Sequence, residues 1–232
     1  MTDQCRTTRY ISLQAVNNLT EAADFSYYIC TPLNRFITIH CEAAGIGMSR
    51  VHRFRSSFLK HAGDWLYLNN VPFCHLWVLE NPSSGGLNLH ILMHVPPTLA
   101  AQFARRQRGW LKAAGAKCRA KVILSKWIGP RDWDYPLPYV RAFTGVVLYL
   151  LKGASPETCE MLSVGDVTLL HVDQGVVHGK RCGVSETLGP KARATRKFYT
   201  PSGAQYLRPL RPIVLYHAGS SWAQAKNRQK TT

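Results

Sequence analysis

The stretch ENPSSGGLNLHILMHVP, residues 80–96, decides how this chain folds. Successive strand side chains point to opposite faces, so its second half sorts cleanly. Leu87, Leu89, Ile91, Met93 and Val95 fall on one face, and Asn88, His90, Leu92 and His94 on the other. An apolar back and a front with an amide and two imidazoles predict a sheet buried on one side, with a polar, metal-capable surface on the other.

Phe73 to Glu80 reads as the preceding strand, and the Pro-Ser-Ser-Gly-Gly run as the turn of a hairpin. With a three-residue turn and Gly85 left-handed, Glu80 faces Asn88 and Val78 faces His90. Glu80, Asn88 and His90 then converge on one face. A carboxylate, an amide oxygen and an imidazole suit Mg²⁺ or Mn²⁺, with water and a phosphate completing the shell. A slip of one residue would send Glu80 to the wrong face. His94 lies two positions further, long for the same ion, and is a DNA contact or a core histidine. His90 and His94 also have the spacing of two zinc ligands on a helix, but no glutamate follows His90 and the alternation favours a strand.

Working outward, residues 1–32 are weakly patterned and read as an irregular lead-in. Arg35 to Cys41 reads as a strand, with Ile37 and Ile39 opposed to Thr38 and His40. Met48 to His61 reads as an amphipathic helix with Val51, Phe54, Phe58 and Leu59 inward. Pro96-Pro97 opens another helix to about Ala114, and Val122–Leu124 is a short strand. Trp127 to Pro138 is an irregular aromatic and proline loop, while 167–172 and 175–177 suggest a further hairpin. Hairpins mixed with helices predict an α+β fold, a central antiparallel sheet flanked by helices.

Val140 to Lys152 is a strong helix closed by Gly153. Val140, Phe143, Val146, Val147, Leu150 and Leu151 make its apolar face, opposite Ala142, Gly145, Tyr149 and Lys152. Tyr149 and Lys152, three residues apart, are neighbours on a helix. The small residues before them leave the phenol and ammonium over open space, and glycine in mid-helix hints at a close approach. A phenol can bond covalently to phosphorus, but its pKa of about 10 keeps it protonated at neutral pH. A neighbouring cation eases its ionisation and offsets charge on phosphoryl oxygens. The same pair also reads as an interfacial Tyr and Lys capping a helix end.

The 232 residues fit one domain with its own core, and 29 Lys and Arg against 13 Asp and Glu give a formal net charge of +16. So basic a chain is expected to meet a polyanion, nucleic acid foremost. Arg105, Arg106, Arg108 and Lys112 form either a solvated helix face or a phosphate-facing stripe. From Lys180 onward Lys180, Arg181, Lys191, Arg193, Arg196 and Lys197 lead a run that reads as a basic extension. The seven cysteines are scattered and never spaced as CxxC, against a disulfide framework or a cysteine zinc site. No apolar run reaches the length of a membrane span, so a cytoplasmic protein is expected.

In this order the pieces resemble the HUH endonuclease superfamily, which includes rolling-circle replication initiators with a single catalytic tyrosine. Phe36-Ile37-Thr38-Ile39 resembles its first hydrophobic strand, and Asn88-Leu89-His90 falls where it carries His-hydrophobic-His. Glu80 resembles the acidic third ligand of several viral initiators, and Tyr149-Leu150-Leu151-Lys152 matches YxxK. Residues 179–185, GKRCGVS, look familiar from bacterial plasmid replication proteins without suggesting a role. The departures are Asn88 at the first histidine and the absence of a GxxxxGK[ST] helicase motif.

The resemblance implies a Rep-like nuclease domain over residues 33–187, related to RRM-like and palm-like sheets, with a basic extension over 188–232. It implies a bacterial enzyme that nicks and rejoins single-stranded or extruded origin DNA. An ion at Glu80, Asn88 and His90 would polarise the phosphate, Tyr149 attack to leave a 5′-phosphotyrosine, and Lys152 stabilise the transition state. A host helicase and polymerase would complete replication, with Trp127 or Trp133 stacking on bases. A catalytically silent DNA-binding regulator on the same fold is the alternative that Asn88 keeps open; an RNA-binding protein using the sheet face is a third.

Overall fold

A computed structural model describes residues 6–130, 136–162 and 169–196. Trp133, Lys197, the rest of the C-terminal run and part of the hairpin expected from residue 167 lie outside these. The elements in chain order are β1 (Thr7–Thr8), α1 (Leu13–Tyr28), β2 (Arg35–His40), α2 (Val51–Leu68), β3 (His75–Glu80), β4 (Asn88–Met93), α3 (Ala100–Ala113), β5 (Ile123–Trp127), α4 (Pro136–Leu151), α5 (Pro156–Leu162), β6 (Val177–His178), β7 (Cys182–Val184) and α6 (Pro190–Thr195).

The α+β reading holds. A five-stranded sheet runs β5-β2-β4-β3-β7, antiparallel at every pairing. From β2 to β5 the chain reads β-α-β-β-α-β, with β4 lying between β2 and β3, and β2 between β4 and β5. Helix α2 crosses over the later strand β4 and α3 over the earlier strand β2, and crossovers of one hand put both helices on the same face.

The alternation divides the core in two. Ile37, Ile39, Trp77, Leu79, Leu89, Ile91 and Met93 pack against α2 and α3 through Phe54, Phe58, Phe103 and Trp110. Burial of each such aromatic contributes about 2–3 kcal/mol. Leu76, Val78, Leu92 and Cys182 on the opposite face pack against Val16, Leu19 and Ala23 of α1 and Val140, Phe143 and Val147 of α4. The expectation of an open polar face is thus corrected: α1 and α4 cover it along β3 and β4, every residue of which is buried. Toward the β5 edge it is less covered, with Phe36, Thr38 and His40 half-buried and Leu124 and Lys126 exposed.

The lead-in expected at residues 1–32 contains α1. Its N-cap Ser12 accepts a hydrogen bond from the Ala15 N–H at 3.3 Å. The buried Thr20 hydroxyl donates to Val16 O and Asn17 O, and the Ser26 hydroxyl to Ala23 O. Polar side chains satisfied on their own helix can be buried without an unbroken apolar stripe, and that interrupted stripe hides the helix. Likewise α2 runs beyond His61 through Gly63, because Gly63 is where the Phe73 ring packs; a Cβ there would meet it at 2.9 Å. Among the described residues, no helix is long and apolar enough to cross a membrane.

Candidate metal and tyrosine site

Glu80 pairs with Asn88 and Val78 with His90, the expected register. The turn differs: it takes the left-handed conformation at Gly86 (φ 63°), not at Gly85. The positive φ strains any side chain there, and a Cβ on Gly86 would also displace the Glu42 carboxylate, 2.3 Å away. β4 is a strand, which removes the helical zinc reading of His90 and His94. The His94 Nδ1 lies 2.9 Å from Pro32 O, and burial lowers the pKa of the ring. His94 follows the end of β4, and this contact ties its ring to the loop before β2.

Glu80 is only 3 % exposed. Its Oε2 accepts from His90 Nε2 at 3.1 Å and from Lys152 Nζ at 3.2 Å. Burial pushes the carboxyl up, but the hydrogen bonds and charge of His90 and Lys152 outweigh it and hold Glu80 below its ordinary value. The other His90 nitrogen lies 3.0 Å from the Thr38 hydroxyl. A hydroxyl donates or accepts as needed, so Thr38 fixes the ring in either protonation pattern, as a supporting partner fixes a metal-binding histidine.

Asn88 is more committed. Its Nδ2 donates to Gly86 O at 2.9 Å and Gly85 O at 3.2 Å, and its Oδ1 lies 2.8 Å from His40 Nδ1. The two carbonyls fix the amide orientation, so His40 Nδ1 is the donor to Oδ1.

Helix α4 brings the second half of the site. Lys152 Nζ lies 3.4 Å from the centroid of the Tyr149 ring. That ring meets His90 and Phe36 edge-on, with centroids 5.6 and 6.1 Å apart. Tyr149 itself is 43 % exposed. Gly145, one turn earlier, does not mark a close approach: among the described residues a Cβ there would meet nothing within 4 Å. Tyr149 therefore borders open space, while Lys152 is turned inward onto Glu80.

A divalent cation, which the family resemblance implies, fits this donor set. Among the described residues Glu80 Oε1 is buried without a hydrogen-bond partner, and an amide oxygen has two lone pairs, of which His40 takes one. Among the described residues no group of three or more His, Cys, Asp or Glu side chains could hold a metal, so Asn88 would have to be the third donor beside Glu80 and His90.

The basic residues divide. Arg105, Arg106, Arg108 and Lys112 are exposed on α3, whose Phe103, Trp110 and Leu111 pack on the sheet face opposite the tyrosine. Lys180, Lys191 and Arg196 are exposed. Arg181 and Arg193 are buried. The Arg193 guanidinium bonds Leu188 O, Asn18 Oδ1 and Glu21. Arg181 donates to Thr8 O, Leu79 O, Gln174 O and Gly175 O. Here the GKRCGVS segment acquires a role: Arg181 binds carbonyls of three segments beside the end of β3, Cys182–Val184 becomes the edge strand, and Gly183 admits the Trp77 ring, 2.9 Å from where a Cβ would stand. Trp127 donates its indole N–H to Pro130 O at 3.2 Å.

Sequence reading missed Thr38 and His40 as site residues, although their alternation in β2 already put them on the right face. It also missed Arg141, exposed on α4 eight residues before Tyr149, and exposed Lys126, which pairs with Phe36.

No family model, curated protein or solved structure matches this chain.

Proposed function

We propose that the chain is a metal-dependent DNA nicking and joining enzyme of the HUH type that initiates rolling-circle replication in a bacterial cytoplasm. One observation carries the reading: Lys152 touches both Glu80 and the Tyr149 ring, so the strand hairpin and the tyrosine helix share one site. The β-α-β-β-α-β order supports the RRM-like sheet of that family.

On this reading Glu80, Asn88 and His90 hold Mg²⁺ or Mn²⁺, which supplies charge to polarise a scissile phosphate. Thr38 and His40 keep His90 and Asn88 in place. The Tyr149 hydroxyl gives up its proton to solvent as its oxygen attacks phosphorus in line; the O–P bond to tyrosine forms as the bond to the 3′-oxygen breaks. The leaving oxygen takes a proton and becomes a 3′-hydroxyl able to prime synthesis, and reversal of the same step rejoins the strand. Lys152 offsets charge on the phosphoryl oxygens. Exposed Lys126, the cross-strand neighbour of Phe36, and exposed Arg141, two turns before Tyr149 on α4, serve as backbone contacts; the buried Arg181 and Arg193 drop out of that set. Strand opening and copying fall to a host helicase and polymerase.

The test is covalent capture. Single-stranded oligonucleotides from the parent replicon, labelled at the 3′ end, are incubated with protein and Mn²⁺ and resolved under denaturing conditions. A labelled protein band lost in Tyr149→Phe is expected. The variant should keep its stability, since the ring contacts remain.

A second reading, a silent DNA-binding regulator on the same fold, is favoured by the engaged amide of Asn88 and by Glu80 already paired with Lys152. Tight binding of these oligonucleotides with no adduct, with or without metal, would select it.

A further inference from the structure

We infer that Lys152 is a built-in counter-cation for Glu80 that competes with a divalent metal for this carboxylate, so that its ammonium is free for substrate only in the metal-loaded protein. The inference rests on the metal-site reading above and assigns the site a resting state.

A lone carboxylate as buried as Glu80 is costly unless a cation or hydrogen bonds answer it. His90 supplies one hydrogen bond and Lys152 supplies the charge, both at Oε2. Lys152 is itself largely withdrawn from solvent, its side chain 16 % exposed. Its ammonium is held between the Glu80 oxygen and the face of the Tyr149 ring. In this position it neutralises the acid and cannot also reach a phosphate lying beyond the tyrosine.

A second cation on Glu80 would stand within a few ångströms of that ammonium, at a place where water screens little. The two therefore exclude each other. The backbone of Lys152 stays fixed, because its carbonyl accepts from Val172 N–H at 2.9 Å. Its flexible four-carbon stem can move, and the surface beside Gly145 leaves space on the tyrosine side.

The test uses the full chain without DNA and reads Mn²⁺ binding from the electron paramagnetic resonance signal of free Mn²⁺. Lys152→Met should bind Mn²⁺ about tenfold or more tighter than the parent chain. Lys152→Arg, which keeps the charge, should bind no tighter than the parent, and Glu80→Gln should lose binding. Lys152→Gln, isolated in the same way, replaces the methionine variant if that one melts early. Affinity in both neutral variants at or below that of the parent would overturn the competition. If the parent still forms the tyrosine adduct in that case, the enzyme reading stands without it. Tighter binding in Lys152→Met with no adduct from the parent on any strand would keep the competition and remove the nuclease. No Mn²⁺ binding by any of these proteins overturns both the competition and the metal site.

Discussion

Asn88 Oδ1 and His40 Nδ1 lie 2.8 Å apart across β4 and β2, while the amide nitrogen of Asn88 holds both glycine carbonyls of the hairpin turn. One side chain thus fixes the turn, the register and a neighbouring imidazole.

Replacing it should be felt in stability first. Asn88→Ala removes three hydrogen bonds at about 1 kcal/mol each, so urea unfolding should show a loss of about 2–4 kcal/mol. Asn88→His should lose about 1–2 kcal/mol, because an imidazole cannot serve both turn carbonyls, yet bind Mn²⁺ more tightly than the parent. Equal Mn²⁺ affinity would remove position 88 from the ligand set.

His75 makes the fold acid-labile. It is buried beside Phe73, with ring centroids 4.3 Å apart, and burial followed by the Arg55 charge pushes its pKa down to about 3. An unfolded histidine titrates at about 6.5. Between those values the unfolded chain binds the extra proton, so this contribution is complete above pH 6.5 and is lost as pH falls toward 3. The slope approaches about 1.4 kcal/mol per pH unit. His75→Phe should flatten the dependence of the urea midpoint on pH across this window, and an unchanged slope would contradict the assignment.

Arg181 should not tolerate lysine. Its planar fork reaches four carbonyls from three segments, whereas a lysine presents one point charge on a flexible stem. Arg181→Lys is expected to cost about 2–4 kcal/mol in thermal or urea unfolding, although the net charge is unchanged. A variant as stable as the parent would show that the carbonyl cluster is not held by guanidinium geometry.

Salt dependence distinguishes the two faces of the molecule. Removing one cation that pairs with a phosphate of single-stranded DNA lowers the slope of log K against log salt by about 0.7. For a short oligonucleotide at the site, a Lys126→Ala and Arg141→Ala double variant should lower it by about 1.4. A double replacement of Arg105 and Arg106 by alanine, on the far layer, should leave it unchanged. The opposite pattern would move the binding face to α3.

The strands around the site were legible because alternation is a local property. Glu80, Asn88 and His90 could be placed on one face from pattern and register alone, and Tyr149 and Lys152 from helical spacing. What covers that face was not legible. α1 buries Thr20, Asp24 and Ser26, so no simple apolar stripe announces it. The inward turn of Lys152 depends on where α4 docks, which no local period encodes. Arg181 looked like one more charge in a basic run, since a buried arginine is recognised only by the carbonyls around it.

The placement of α1 also has a consequence for synthesis. It is made before the sheet, yet it shares one core with Phe143 and Val147 of α4 and Cys182 of β7. A nascent chain complete to Trp127 has every strand of the β-α-β-β-α-β unit, with Glu80, Asn88 and His90 aboard, but neither Tyr149 nor Lys152. On the proposed reading, the capacity to hold a target therefore precedes the capacity to cut it. Proteolysis of stalled ribosome complexes should find α1 protected only after α4 has cleared the exit tunnel; earlier protection would refute this order.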